Sequence, residues 1–557
     1  MSLLTSLIRF TLILLCLAAP NSFAASATWR QNPQSSDWNT AANWTPQVVP
    51  NGSNDIATFS VTNEASISLS GTMEVSEMNF LSGAAGYVFS IPAFTTFTLS
   101  GPGVVNSSPA TQQFALSGNE EGFVGGIVFV NQANAGSLAS YDLQGGRTED
   151  IIGTYAEFLN DSSAGSATFL LRGPTDNGNN GANIIFVDDA TADHATITSE
   201  GSAADTGAGG QIFFTGRATA AFANIVNEGG SGSAPLSGSY MLFQADSRAG
   251  QATITMKAAT NSAGGGGQVL FLDNSTADGA TLVAEDGYAS GAAGGAITFY
   301  SNSLGGTSRL ELFGNGFLDL RFHNPASVTF GSIEGSGVAL IGNMSFQVGF
   351  NNLATTFSGV IDDGGAGGVF YKEGSGTLTL SGPNNYSGGT VIDDGTLIVT
   401  TKGVSPTGSG DVTVNHGTLS GTSRLSGGIV VGSGNDEGAF LAPGVNGIGT
   451  LTTGQSLLLS NNSTYLCEID AKRARADSLR ARGVRILNES TFTLISLNQR
   501  RLAIGASFVV INNTSAHPIS GTFANLPDQG TIIAGRNTFQ ANYAGGDGND
   551  LSLTVIP

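Results

Sequence analysis

The chain has 557 residues, of which 40% are hydrophobic and 11% are charged, with 79 glycines and a formal net charge of −21. Disordered chains combine low hydrophobicity with many charges, so this composition excludes a disordered protein. The acidic balance excludes nucleic acid as a partner, because phosphate binding needs a cationic surface. Two cysteines and four histidines leave little capacity for a metal site, and we expect no cofactor.

Residues 1–24 have the pattern of a secretory signal peptide. Arg9 precedes an apolar run over residues 10–19, and Ser22 and Ala24 provide the small residues of a cleavage site before Ala25. The run is shorter than the about 20 apolar residues that a membrane-spanning helix needs. The pattern predicts export without an integral membrane span, to the periplasm, the cell surface or the extracellular medium of a bacterium.

A repeat of about 28 residues occupies the middle of the chain. Short apolar runs end in phenylalanine at intervals of 28 or 29 residues, at Phe129, Phe158, Phe186, Phe214, Phe243, Phe271 and Phe299. A second apolar segment follows about ten residues later, and a glycine-rich stretch closes each unit. A unit this short cannot bury its own apolar face. Stacked units pair each strand with its equivalents above and below, about 4.8 Å away.

The repeat predicts an all-β fold, an elongated right-handed parallel β-solenoid (β-helix) with an N-terminal cap and a C-terminal β-module. We expect the phenylalanines to form an internal column and the glycines to occupy tight corners with positive φ. The predicted parts are a Trp-rich cap with the first coils, the Phe-marked coils, a continuing β-helix and the C-terminal module, over residues 25–110, 111–310, 311–465 and 466–557. The cap contains all three tryptophans and would protect the unpaired edge of the first coil.

A polar or charged residue stands three positions after each phenylalanine. These residues are Gln132, Asp161, Asp189, Arg217, Asp246, Asn274 and Asn302. In stacked coils these residues would form one ladder, in which Arg217 lies between Asp189 and Asp246 and would pair with both. Three interpretations stay open: residues suited to the turn after a strand, a stripe that binds a cation or a sugar, or a catalytic carboxylate cluster as in β-helical polysaccharide lyases. The candidate binding residues are Asp161, Asp189, Arg217, Asp246 and Asn274.

A different motif covers residues 374–399, with the sequence GSGTLTLSGPNNYSGGTVIDDGTLIV. It predicts two strands, with alternating apolar positions at Leu378 and Leu380 and at Leu397 and Val399. This segment closely resembles the autotransporter-associated β-strand repeat of secreted bacterial passengers. The resemblance implies a β-helical surface or secreted protein, for which adhesion or matrix roles are common. The C-terminal translocating barrel of a full autotransporter is not recognised, so passage across an outer membrane would need separate machinery.

Two further candidate sites lie near the C-terminus. Residues 545–553 fit a calcium-binding nonapeptide with Asp547 and Asp550, but one copy does not supply the six to eight oxygens that Ca²⁺ prefers. The alternative is a glycine-rich turn before the last strand. A basic cluster would dock acidic glycans or lipopolysaccharide phosphates, or is a solvated loop; it contains Arg473, Arg475, Arg480, Arg482 and Arg485.

Two functions follow from these observations. The first is an exported structural or adhesive protein without catalysis, which presents a long β-helical surface to polysaccharide, matrix, cell-envelope components or another cell. The second is a β-helical carbohydrate-active enzyme, similar to a polysaccharide lyase or hydrolase, with Asp and Arg side chains between Asp161 and Asp246. No catalytic residue is assigned, because the sequence contains no G-x-S-x-G nucleophile elbow and no recognisable partner for its histidines.

Overall fold

A computed structural model describes residues 25–146, 153–174, 176–177, 180–234, 237–287, 291–324, 326–433 and 438–557. The predicted signal peptide lies outside the described residues. Regular structure in the described part consists of β-strands and one short 3-10 helix, Ala41–Asn43. No helix found there is long and apolar enough to cross a membrane.

The strands form four sheets, in which successive coils of the chain pair mostly in parallel. The first sheet has 15 strands. In chain order they are Ala27–Trp29, Trp44–Thr45, Gly52–Phe59, Met73–Phe80, Thr96–Asn106, Gly126–Phe129, Tyr155–Phe158, Asn183–Phe186, Gln211–Phe214, Tyr240–Phe243, Gln268–Phe271, Ala296–Ser301, Phe317–His323, Val338–Leu340 and Val360–Asp362.

The second sheet is the longest and accompanies the first along the repeats. Its strands pair in parallel from coil to coil, and one short strand near the C-terminal end pairs antiparallel. They are Ser66–Ser68, Val88–Ile91, Gln112–Leu116, Ala139–Leu143, Thr168–Leu171, Thr196–Ser199, Asn224–Asn227, Thr253–Met256, Thr281–Ala284, Arg309–Leu312, Ser332–Gly335, Thr355–Phe357, Thr377–Leu380, Thr396–Val399, Gly417–Gly421, Ala439–Pro443, Ser463–Asp470, Arg475–Ala476 and Thr491–Ser496.

Two shorter sheets belong to the C-terminal half. The third sheet is parallel and contains Ser327–Phe330, Ser345–Val348, Val369–Lys372, Thr390–Ile392, Val412–Val414, Ile429–Val431, Leu457–Leu459 and Val484–Ile486. The fourth sheet begins parallel and ends in antiparallel strands. It contains Arg424–Leu425, Thr450–Thr453, Ser478–Ala481, Ser507–Asn513, Thr531–Ala534, Asn537–Gly545 and Asp550–Ile556.

The 28-residue repeats pair in one constant register. Phe158 lies opposite Phe129 on one side and Phe186 on the other in the first sheet. In the second sheet Phe169 lies opposite Ile197. Each coil therefore stacks on the next with a shift of one whole repeat, which confirms the all-β parallel solenoid. Its right-handed sense stays a prediction.

The predicted phenylalanine column is confirmed. From Phe129 to Phe299 the rings of neighbouring coils stack with centroids 4.5 to 4.9 Å apart. All of these side chains are fully buried. The spacing equals the distance between paired strands, so each ring contacts the equivalent rings above and below and fills the interior of the solenoid.

The prediction for the glycines is only partly right. Glycine does have positive φ at one corner of several coils, as at Gly165 and Gly250. The corner two residues after each phenylalanine also has positive φ, between 53° and 70°, but most of its residues carry side chains. These residues are Asn131, Asn160, Asp188, Gly216, Ala245, Asp273 and Ser301.

The clustered glycines lie where the backbones of consecutive coils approach each other closely. A Cβ added to Gly173 would lie 2.0 Å from the carbonyl oxygen of Gly201, and one added to Gly229 would lie 2.0 Å from that of Ala258. Neither residue has positive φ. The chain needs glycine there because no space exists for a side chain, and the sequence pattern alone does not distinguish that reason from a strained φ.

The motif at residues 374–399 contains three strands, whereas two were predicted. Leu378 lies opposite Leu397, and Leu380 lies opposite Val399, so the two predicted strands are neighbours in the second sheet. The additional strand, Thr390–Ile392, belongs to the third sheet. It was missed because only three residues form it and a glycine pair precedes it.

Antiparallel strands lie at both ends of the solenoid. At the N-terminal end Trp29 lies opposite Trp44, and the buried rings of Trp29, Trp38 and Trp44 contact one another with centroids 4.9 and 5.1 Å apart. At the C-terminal end Asn537–Gly545 and Asp550–Ile556 form a hairpin. Such ends leave fewer parallel strands open to pairing with another chain. The domain boundaries themselves stay a prediction.

A buried carboxylate near the C-terminal end makes stability depend on pH. Asp477 accepts backbone N–H groups from Gly449 at 2.7 Å and from Glu468 at 2.8 Å. Burial, and to a lesser extent the Glu468 charge, raises the pKa of Asp477 to about 7. The pKa of Asp477 is higher in the folded protein than in the unfolded chain. The stability that the protonated Asp477 side chain contributes is therefore complete below pH 4 and is lost as the pH rises through 7.

We therefore expect wild type to exceed the Asp477→Asn variant in unfolding free energy by more at pH 5 than at pH 8. Between pH 5 and pH 8 the ratio of the unfolding equilibrium constants of the two proteins should change by about tenfold, which allows for partial screening by solvent. Urea unfolding of both proteins at the two pH values measures it. The same difference at both pH values would contradict the prediction.

Candidate binding edge of the solenoid

The turn after each first-sheet strand is built by two consecutive residues. The first has the left-handed conformation, and in several coils its side chain accepts an N–H from the preceding coil. Oδ1 of Asn160 accepts the N–H of Asn131 at 3.1 Å, and Oδ2 of Asp188 accepts that of Asn160 at 3.2 Å. Oδ2 of Asp273 accepts the N–H of Ala245 at 3.1 Å. Asn and Asp at this position therefore hold one coil to the next.

The second residue of each turn belongs to the predicted ladder, which we call the polar edge. Its backbone N–H donates to the preceding coil, as in Asp189 to Asn160 at 3.0 Å and Asp246 to Gly216 at 2.9 Å. Each coil therefore exposes one side chain of this row, and the side chains of neighbouring coils are about 4.8 Å apart. The polar edge contains Gln132, Asp161, Asp189, Arg217, Asp246, Asn274 and Asn302.

One ion pair dominates the centre of the polar edge. The guanidinium of Arg217 donates to both carboxylate oxygens of Asp189, with Nε 2.7 Å from Oδ1. This hydrogen bonding lowers the pKa of Asp189. Asp246 instead accepts the Asn274 amide at 3.3 Å. The prediction that Arg217 pairs with both carboxylates is wrong as regards the ion pairs of the described residues, because a two-pronged guanidinium contact engages one carboxylate.

A shallow depression of about 500 Å³ lies at the N-terminal end of the polar edge. It joins Gln132 and Asp161 to residues 100–102, which lie in the first-sheet strand Thr96–Asn106 of the preceding coil. Its lining consists of Ser100, Gly101, Pro102, Asn131, Gln132, Asn160 and Asp161. Amide, hydroxyl and carboxylate groups can donate to and accept from the hydroxyl groups of a ligand. The sequence did not predict this feature, because Ser100–Pro102 lies outside the repeat that defined the polar edge.

Two buried charged residues close to the 374–399 motif were also missed. Lys372 points into the interior, where its Nζ donates to the carbonyl oxygens of Glu373, Gly374 and Asp394 at 2.8, 2.7 and 3.0 Å. Burial lowers the pKa of Lys372 to about 8. The carboxylate of Asp363 accepts backbone N–H groups from the turn that follows it. Both side chains satisfy backbone groups of adjoining turns and are not exposed for ligand binding.

Residues 370–399 match the family model of the passenger-associated-transport-repeat. The match includes the strands Thr377–Leu380, Thr390–Ile392 and Thr396–Val399, together with Lys372. The chain therefore contains a passenger-associated-transport-repeat at residues 370–399. The predicted resemblance to autotransporter passengers is thereby confirmed on the segment that carried it.

Segments of the chain are also similar to two curated proteins. A segment of the chain is 31% identical over 171 residues to an extracellular serine protease of Serratia marcescens, covering 29% of this chain and 15% of that protein. Another is 36% identical over 125 residues to the BmaC autotransporter adhesin of Brucella suis, covering 20% of this chain and 4% of that protein. The passenger-repeat protein thus spans a small part of each relative.

A structural comparison matches the crystal structure of the Hap adhesin of Haemophilus influenzae. The TM-score is 0.23 and the sequence identity 12%, over 90% of this chain and 59% of that one. The strand pairing described above is therefore the basis for the fold of the passenger-repeat protein.

The arginine cluster beyond the passenger repeat is distributed over different elements. Arg480 lies in the fourth sheet and Arg485 in the third. Arg473 lies in the turn between the antiparallel second-sheet strands Ser463–Asp470 and Arg475–Ala476, where it pairs with Asp470 at 3.0 Å. Arg475 lines a second shallow depression, of about 300 Å³. All five predicted arginines are exposed, and the structure does not place them in one row as it does the polar edge.

The calcium-type nonapeptide forms the turn of the last hairpin. The N–H of Gly548 donates to the carbonyl of Gly545 at 2.8 Å and closes that turn. Asp550 is buried and accepts the N–H of Asn513 at 2.8 Å, whereas Asp547 is exposed at the tip. Burial raises the pKa of Asp550. Throughout the described ranges no group of three or more His, Cys, Asp or Glu side chains could hold a metal ion.

Proposed function

We propose that the passenger-repeat protein is an exported structural or adhesive protein that contacts polysaccharide, matrix or another cell through its polar edge. The observation that carries this proposal is the row of exposed hydrogen-bonding side chains, one per coil, that leads into a polar depression. A polymer lying along such a row would make many weak contacts at once, and their sum would give useful avidity. The role proposed for the chain involves no catalysis.

The charge of the polar edge favours a neutral polymer over an acidic one. Asp161 and Asp246 are exposed carboxylates without a cationic partner among the described ion pairs, and the single cation, Arg217, is bound to Asp189. The whole chain carries a net charge of −21. An acidic glycan would be repelled at ordinary ionic strength, so the polymer that we propose is rich in neutral sugar hydroxyls.

The proposed location is the cell surface or the extracellular medium. The signal-peptide pattern predicts export, and the passenger repeat occurs in a chain similar to an extracellular protease and to an autotransporter adhesin. Those names describe the relatives, and they support exposure of this chain outside the cell.

Binding to an array of neutral and acidic polysaccharides tests the proposal. We expect the combined Asp161→Ala and Asp246→Ala variant to lose at least about tenfold in apparent affinity for the polymer that wild type binds. This loss corresponds to about 1.4 kcal/mol of binding free energy. The control is the combined Glu200→Ala and Glu228→Ala variant. It removes two carboxylates that directly follow the second-sheet strands Thr196–Ser199 and Asn224–Asn227, away from the polar edge, one of which pairs with Arg172.

Thermal melting of both variants checks that the fold is intact. The proposal fails if removal of the polar-edge carboxylates leaves binding unchanged. It also fails if the control variant loses as much affinity, because binding would then depend on total charge.

A carbohydrate-active enzyme is the second candidate, favoured by one observation. Asp161 and Asp189 lie in adjacent coils, at a row spacing of about 4.8 Å. That spacing is close to the separation of about 5 to 5.5 Å between the two carboxyl groups of retaining glycosidases. Against this role, Arg217 lowers the pKa of Asp189, whereas a general acid needs a raised pKa.

A further inference from the structure

Charge is divided unevenly along the chain. Residues 466–557 contain nine basic and seven acidic side chains, a formal balance of +2. Residues 25–465 contain 11 basic and 35 acidic side chains, a balance of −24. The predicted C-terminal module would therefore be attracted to an anionic surface, whereas the long acidic part that precedes it would be repelled.

Two segments of that module carry strongly exposed aliphatic side chains. Ile504 and Ile533 are each 71% exposed, more than any other large hydrophobic side chain in the described part of the chain. Ile495 and Leu497 are also exposed. Clustered exposed apolar side chains mark sites of contact with another protein or with a membrane.

Hydrogen bonds bring the two segments together. The buried Asn537 donates its amide to the carbonyl oxygen of Arg500 at 2.8 Å and accepts the N–H of Leu502 at 2.7 Å. Asn537 also pairs with Ala534 in the hairpin that carries Ile533. The two segments therefore meet at the turn of that hairpin.

Basic side chains flank the aliphatic ones. Asp470 joins a third turn to the two segments, because it accepts the amide of Asn498 at 2.6 Å and the guanidinium of Arg473 at 3.0 Å. Of the exposed cations on the three segments, only Arg473 has an acidic partner among the described ion pairs. We call the combined surface the basic end, and it consists of Ile495, Leu497, Ile504, Ile533, Lys472, Arg473, Arg500, Arg501 and Arg536.

We propose that the basic end docks the protein peripherally on an anionic lipid surface. Its cations contact the phosphates of the lipid headgroups, and its isoleucine and leucine side chains enter the boundary between headgroups and acyl chains. Electrostatic attraction and burial of apolar area add to each other at such a boundary. An acidic polysaccharide would engage the cations but leave the aliphatic side chains in water, so the combination favours a lipid.

The acidic part of the chain determines the orientation of the docked protein. Residues 25–465 are repelled by the anionic surface, so only the basic end contacts it and the solenoid extends away. The polar edge then stays accessible to a polysaccharide. This docking adds a mode of attachment to the proposed function and does not depend on it.

Co-sedimentation with lipid vesicles tests the proposal. The mature protein is mixed with vesicles of phosphatidylcholine alone and with vesicles that also contain the anionic lipid phosphatidylglycerol. We expect a partition coefficient at least about tenfold higher for the anionic vesicles. The combined Arg500→Glu and Arg501→Glu variant should lose this difference. The combined Ile504→Ser and Ile533→Ser variant should bind anionic vesicles at least about tenfold more weakly than wild type.

Each variant has a matched control outside the basic end. Lys402→Glu with Arg424→Glu reverses two exposed charges, the second of them at the opposite edge of the fourth sheet. Leu138→Ser with Phe222→Ser removes two exposed apolar side chains. Both controls should bind anionic vesicles as wild type does, and equal melting temperatures exclude unfolding as the cause of any loss.

Equal binding to the two kinds of vesicle would overturn the proposal. Unchanged binding by either variant of the basic end, or an equal loss in its matched control, would overturn it as well. Retention on immobilised heparin without binding to anionic vesicles would overturn it in favour of an acidic polysaccharide. Binding of polysaccharide by the polar edge is measured separately on the array, so failure of one proposal leaves the other to its own test.

Discussion

Gly229→Ala is expected to destabilise the passenger-repeat protein by at least about 3 kcal/mol, because overpacking against backbone cannot be relieved by a rotamer change. The new Cβ would lie 2.0 Å from the carbonyl oxygen and 2.4 Å from the carbonyl carbon of Ala258 in the next coil. Two coils must separate locally to accommodate it, which weakens the hydrogen bonds between them. Urea unfolding followed by far-UV circular dichroism measures the loss.

Gly83→Ala is the matched control for this prediction. A Cβ there would meet the Cγ2 of Val61 at 3.6 Å, which is an ordinary contact. Since alanine has fewer unfolded conformations than glycine, this variant should be as stable as wild type or slightly more stable. An equal loss of unfolding free energy in Gly229→Ala and Gly83→Ala would contradict a close backbone contact between coils at Gly229.

Phe214→Ala should cost about 3 to 5 kcal/mol of unfolding free energy, the range for deleting a fully buried aromatic side chain. Its ring is fully buried and stacks on Phe186 at 4.6 Å and on Phe243 at 4.9 Å. The cavity would open in the middle of the column, where rigid coils on both sides limit collapse. Denaturant unfolding measures the change in free energy.

Phe222→Ala provides the comparison in the same coil. That side chain is 59% exposed, so its removal should change stability by no more than about 0.5 kcal/mol. A Phe214→Ala loss as small as that of Phe222→Ala would contradict a continuous aromatic column.

The sequence was sufficient to predict the solenoid because its phenylalanines and second apolar segments recur at a constant spacing. A slip of one residue would turn the buried phenylalanines outward, so a strict period of about 28 residues specifies the register directly. For the same reason Asp161, Asp189 and Asp246 were expected in one exposed row. Repeat position determines neighbours in a stacked fold, and no tertiary information is needed for residues in equivalent turns.

Features that depend on contacts between non-equivalent positions were not predictable in this way. The role of Gly229 depends on its distance to the backbone of the next coil. The role of Lys372 depends on three carbonyl groups that two turns bring together. Arg217 contacts one of its two neighbours because of side-chain geometry. The arginines from 473 to 485 are close in sequence, but strand breaks distribute them over different sheets.

We propose that the polar edge binds a polymer without altering it, and the fate of the bound polymer tests this proposal. The polysaccharide that binds tightest in the array is incubated with the protein, and its chain length and new reducing or unsaturated ends are followed over time. We expect the polymer to stay unchanged with wild type. Shortening of the polymer by wild type that disappears in Asp189→Asn would contradict a purely adhesive role and favour the carbohydrate-active enzyme.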